Sequence, residues 1–173
     1  MYLRAILYVM GSCTFCGALL AAQTSASNNM DKTFLDMAAD TNMTEAHLGQ
    51  MAEADASATS VRDFGRKLAR DHTNAYESLT ELASKVGVNI PKGIDVQRDR
   101  SVEELARLKG DQFDGSFLRN EVRDHEAALA AFRREAEHGH DAAVKAYASK
   151  MVPVLEDHLH IAQRLEKNER HAS

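Results

Sequence analysis

Three Asp-His pairs recur along the chain: Asp71-His72, Asp124-His125 and Asp157-His158. Each histidine falls where helical spacing asks for an apolar residue. A polar, titratable side chain on a core-facing stripe costs free energy unless it is paired or bound. Glu45 holds a position of the same kind on a further helix, and Glu121 lies four residues before His125, on the same face. Neutral imidazoles and carboxylates suit a divalent metal such as Fe, Zn or Mn, and helical bundles build such sites from facing helices. Without metal, Glu45, His72, Glu121, His125 and His158 would equally serve as a hydrogen-bonded layer that fixes helix register. Asp71, Asp124 and Asp157 are then either orienting partners of the histidines or surface groups one residue further round each helix.

The elements that must position these groups are helical. Apolar residues recur at steps of three and four. Phe34, Met37, Thr41, Glu45, Leu48 and Met51 mark a first helix over about 31–57. Val61, Phe64, Leu68, His72, Tyr76, Leu79 and Val86 mark a second over 60–86, capped by Ser60 and stopped by Gly87. Phe113, Phe117, Glu121, His125, Leu129 and Phe132 give a third over 112–138, capped by Asp111. Val144, Tyr147, Met151, Leu155, His158 and Leu165 give a fourth over 141–168, capped by Asp141 and kinked at Pro153. Glu45, His72, His125 and His158 all lie near helix midpoints, so in a bundle of matched helices they share one layer.

The connector, residues 87–111, carries a capping-box pattern at Ser101 to Glu104 that opens a short helix to Lys109. A helix of about 27 residues is roughly 40 Å long, and about 25 connecting residues can span that length. The halves also repeat weakly. Phe34-Leu35 matches Phe117-Leu118, and Val61 to Phe64 matches Val144 to Tyr147. The expected fold is therefore all-α: a ferritin-like four-helix bundle of two helical hairpins, joined by a long crossover connector.

Residues 1 to about 26 read as a secretory signal. Arg4 is the positive start, Ala5 to Ala22 is apolar or small, and Leu20-Ala21-Ala22 and Thr24-Ser25-Ala26 fit cleavage sites. Residues 27–173 then form one exported domain, periplasmic or secreted, with no stable membrane span after cleavage; an uncleaved N-terminal anchor is the alternative. Both cysteines, Cys13 and Cys16, fall in the signal, so the mature chain relies on packing rather than disulfides.

Composition excludes several classes. The 173 residues are 44% hydrophobic and 27% charged, with a formal net charge of −5 and no basic run, which disfavours nucleic-acid binding. Nucleophile elbows, phosphate loops and dinucleotide fingerprints are absent. The di-iron signature needs Glu-x-x-His on two helices, and the polar stripe positions carry none. An enzyme is accordingly less expected than a binding or structural protein.

The chain resembles a bacterial family of unknown function, DUF4142. The resemblance rests on Glu45 with Leu48 to Ala52, Val61 to Phe64, Leu68 to Thr73, Ala83 to Pro91 and Phe113-Asp114. It continues through Phe117-Leu118, Val122 to His125, Val144 to Ala148 and Pro153 to Leu165, so it spans about residues 32–166. It implies an exported, ferritin-like four-helix bundle and no established activity. Some members carry an outer-membrane label, yet nothing in residues 27–173 alternates at period two as a barrel strand does.

Overall fold

The computed structural model describes residues 16–93 and 100–172. Among these, five helices follow one another: α1 (Cys16–Asp55), α2 (Thr59–Val86), α3 (Arg100–Leu105), α4 (Gly110–His138) and α5 (Ala142–Ala172). α1 is already helical at Cys16, the first described residue, well before residue 31. No proline interrupts residues 16–55 and the stretch is rich in alanine, so nothing local stops the helix. Most of the expected signal, residues 1–15, lies outside the described residues. No helix among the described residues is long and apolar enough to cross a membrane. The short helix ends at Leu105, and α5 runs unbroken through Pro153.

α1 pairs with α2, and α4 with α5, as two antiparallel hairpins; α1 also packs on α4, and α2 on α5. Hydrogen bonds at the two ends fix the topology. The Asp114 carboxylate, near the start of α4, accepts the backbone N–H groups of Ser57 (3.0 Å) and Ala58 (2.8 Å) in the α1–α2 turn. At the other end, the Asp31 carboxylate of α1 accepts the N–H groups of His140 (2.8 Å) and Asp141 (2.7 Å) in the α4–α5 turn. The start of α4 therefore sits beside the end of α1, at the end opposite the one where α2 finishes. The connector must travel the length of the bundle, as expected from its residue count.

These clamps correct two expected caps. Ser60 lies inside α2, whose N-cap, Ala58, has no side-chain acceptor, and Asp111 lies inside α4, where it accepts the Ser57 hydroxyl. The turn packs against α4, whose Asp114 carboxylate binds the backbone just ahead of α2. Asp141 does cap its own helix, accepting the N–H groups of Ala143 (2.8 Å) and Val144 (3.1 Å). Asp114 is fully buried. Its replacement by alanine should strand two backbone donors and cost about 2–3 kcal/mol, read from the urea midpoint.

The hairpin α1–α2 closes over glycine. A Cβ on Gly65 would lie 2.7 Å from the Gly49 carbonyl oxygen and 2.7 Å from the Ala52 Cβ, so the two backbones approach as only bare Cα atoms allow. The core divides into two apolar clusters. One gathers Phe34, Leu35, Leu79, Phe132, Tyr147 and Leu155; the other gathers Leu48, Phe64, Leu68, Phe117, Leu118 and Leu165. Between them, every long helix changes character at the same level: Asn42 and Glu45 on α1, His72 on α2, Glu121 and His125 on α4, and His158 on α5, all buried.

Candidate functional site

The four residues expected to share a layer, Glu45, His72, His125 and His158, are brought together, and Glu121 joins them. One ring nitrogen from each of His72, His125 and His158 lies within 4.8 Å of one from each of the others, and Glu45, Glu121 and His125 form a second group at the same limit. The ring centroids stand 5.2–5.7 Å apart. His125 is common to both groups.

The hydrogen bonds decide which nitrogen of each ring carries its proton. Asn42 donates through Nδ2 to the Ala38 carbonyl (2.8 Å), so its Oδ1 faces His72 Nδ1 at 2.9 Å and must accept. His125 Nδ1 faces the Glu121 backbone carbonyl at 3.0 Å. His158 Nε2 faces the Asp71 carboxylate at 3.1 Å. All three partners are acceptors, so each of these nitrogens holds the ring's proton. The opposite nitrogens, His72 Nε2, His125 Nε2 and His158 Nδ1, are left with lone pairs. His125 Nε2 and His158 Nδ1 point at each other across 3.3 Å, and His72 Nε2 is buried with no hydrogen-bond partner among the described residues. A fourth proton would have to make one ring an imidazolium, and the surroundings oppose it. Burial, then the charge of a protonated His158, holds His125 down to about 3. Burial and the neighbouring rings keep His72 well below the usual imidazole range, and burial lowers His158 although its bond to Asp71 works the other way.

Asp71 is anchored in turn. Burial alone would raise its pKa, but hydrogen bonds from Lys67 (2.8 Å) and His158 hold it at about 2. Of the three aspartates beside histidines, Asp71 orients a histidine, and that histidine belongs to another helix. Asp124 pairs with Arg123, and Asp157 with Lys67. On the opposite side of His125, Glu121 is fully buried beside Glu45. Burial, then the charge and hydrogen bond of Glu45, pushes the Glu121 carboxyl well above its ordinary range. One proton shared by the two carboxyls is the arrangement that low dielectric favours.

Sequence reasoning missed Asn42. It sits three residues before Glu45, on the same helix face, and could have been found as a second polar break in the stripe. Tyr147, expected to need a partner for its hydroxyl, donates to the Ala75 carbonyl (3.2 Å) and accepts from Asn42 (3.1 Å), completing the support of His72.

The family described as a domain of unknown function, DUF4142, matches residues 17–165. None of the curated proteins matches the chain. Among solved structures, a conserved hypothetical protein from Mycobacterium tuberculosis is similar over 82% of this chain and 93% of its own, with a TM-score of 0.66 and 16% sequence identity. That degree of likeness speaks for the fold alone.

Proposed function

The chain belongs to the DUF4142 family, which brings a fold without an assigned activity, and from the chain's own side chains we propose that it binds one divalent transition-metal ion at His72, His125 and His158, with Glu45 and Glu121 alongside. The carrying observation is the convergence of three imidazole lone pairs whose opposite N–H groups are each tied to an acceptor. Metal-binding histidines are characteristically held this way, because the distal bond fixes tautomer and ring orientation. A purely structural layer would satisfy its polar atoms with one another, whereas His72 Nε2 has no hydrogen-bond partner among the described residues.

The spacing suits the same reading. Two ligands about 2.05 Å from a tetrahedral ion lie roughly 3.3 Å apart, and His125 Nε2 and His158 Nδ1 are 3.3 Å apart. Nitrogen donors favour Zn or Fe over Mn, which prefers oxygen. Three protein nitrogens leave a fourth position for a carboxylate or a small ligand. The signal-like residues 1–26 support an exported protein, so the ion would be one met outside the cytoplasm.

Metal-free protein titrated with Zn(II) or Co(II) should take up about one ion per chain. At a hundredfold excess over Kd, binding adds about 2.7 kcal/mol, which raises Tm by roughly 5–10 °C for a chain of this length. His72→Gln and His158→Gln should lose that shift. A thermal shift that persists unchanged in both variants would place the metal elsewhere and defeat the proposal.

A further inference from the structure

The polar layer is flanked by two surface clefts of opposite character. Between α1 and α4 lies one of about 360 Å³, lined by Met37, Asp40, Thr44, Glu45, Asp124 and Ala127. The facing positions are small (Thr41, Thr44, Ala127, Ala128 and Ala131), which is why the helices leave a gap there. Its inner wall is Glu45, only 4% exposed. Behind Glu45 stand Glu121 and His125, each with a ligand atom within 4.8 Å of the others. Between α2 and α5 lies a cleft of about 440 Å³ that leads to Asp71, but Lys67 and Lys150 line it. The Lys67 ammonium is 2.8 Å from Asp71 and 3.1 Å from Asp157, so a cation already occupies that approach.

From this asymmetry we propose that the α1–α4 cleft is the route by which a divalent cation reaches and leaves the three-histidine site, with Glu45 as its first buried ligand. The proposal rests on the three-histidine reading and adds the path to it. Asp40 and Asp124 give the mouth a negative balance, with Arg123 on Asp124 as the opposing charge, and acidic clefts raise the local concentration of cations. An ion held by Glu45 and Glu121 is one imidazole away from the lone pairs, because His125 presents Nδ1 towards the carboxyls (3.4 Å from Glu121 Oε2) and Nε2 towards the other histidines. On the opposite side, Lys67 and Lys150 repel the same ion.

A route has a kinetic signature that a ligand does not. Blocking it slows uptake and release by the same factor and leaves Kd unchanged. Ala127 and Asn74 are both exposed and line the two clefts, so a tryptophan at either leaves the core alone. In stopped-flow mixing of metal-free protein with Zn(II), followed with a chelating indicator, Ala127→Trp should slow uptake and release about tenfold each, with Kd unaltered. Asn74→Trp should match the unsubstituted chain. Glu45→Gln should slow uptake at least as much as Ala127→Trp. Equal rates in all variants, or slowing by Asn74→Trp alone, would overturn the route while leaving the site intact. A failure of the unsubstituted chain to bind Zn(II) would overturn both.

Discussion

Gly65→Val should leave the chain unable to close its first hairpin. The substituted Cβ would start 2.7 Å from the Gly49 carbonyl oxygen and 3.1 Å from the Glu53 backbone nitrogen. Those are main-chain atoms of α1, which cannot rotate away as a side chain would. The two helices must separate along their length, and separation also pulls Glu45 and Asn42 away from His72. Overpacking a tight core costs about 1–3 kcal/mol, and a forced backbone displacement lies at or above the upper end. We expect a loss of about 3 kcal/mol or more, a large share of the roughly 5–15 kcal/mol by which an ordinary domain is stable. Gly93→Val is the matched control, since a Cβ there meets nothing within 4 Å among the described residues. Circular dichroism in urea separates the two. Equal midpoints would contradict the reading of the α1–α2 contact.

Acid should act on the metal-free protein in two stages. A histidine whose pKa is lowered on folding contributes stability that is complete above its unfolded value of 6.5 and drains away as pH falls towards the folded value, which for His125 is about 3. His72 and His158 shift in the same direction. A glutamate whose pKa is raised on folding does the reverse. Its contribution is complete below the unfolded 4.5 and is lost as pH rises. Glu121 is of this kind, and so is Glu135, pushed up to about 7 by burial, then by the charge and hydrogen bond of Asp31. Between about pH 6.5 and 4.5 the two sets oppose each other, so stability changes little. Below about 4.5 the glutamates have nothing more to give, and the histidines continue alone. Asp71, held at about 2, adds its own loss at the acid end. His125 by itself costs about 2 kcal/mol over the 1.5 pH units down to 3, since each unit of protonation difference is worth about 1.4 kcal/mol. Urea midpoints should therefore stay level to about pH 4.5 and collapse by pH 3. Glu135→Gln should move the onset of the decline towards pH 6.5. A steady decline from pH 7 in both proteins would rule out the proposed balance.

What the sequence could and could not disclose follows from where each partner sits. Helical stripes exposed Glu45, His72, Glu121, His125 and His158, because a polar residue in a periodic apolar row is visible without tertiary information, and midpoint matching placed Glu45, His72, His125 and His158 at one level. The all-α bundle and its crossover followed from element lengths and the long connector. Asn42 escaped because the stripe was followed through Thr41, one residue away, and because an uncharged amide gives a weaker signal than an imidazole. The role of Asp71 was visible only as a choice between options: it serves His158, on α5, and no local pattern encodes a bond between α2 and α5. Ser60 and Asp111 were natural caps by local rules, but α2 starts before Ser60 and α4 before Asp111, while Asp114 holds the α1–α2 turn from the other hairpin.

The two end clamps carry a further meaning. Asp31 and Asp114 each stand three residues before a Phe-Leu pair, and each takes two consecutive N–H groups from the turn of the opposite hairpin. This is the reciprocity of an isologous dimer, in which one patch serves both sides of a two-fold axis, written here into a single chain. At the centre the equivalence fails. The counterpart of His125, at the same interval beyond its aspartate, is Asn42, and the counterpart of Glu121 is Ala38. Strict symmetry would supply histidines in pairs, two or four, and never three. A three-nitrogen centre is available only to halves that share their ends and differ in their middles.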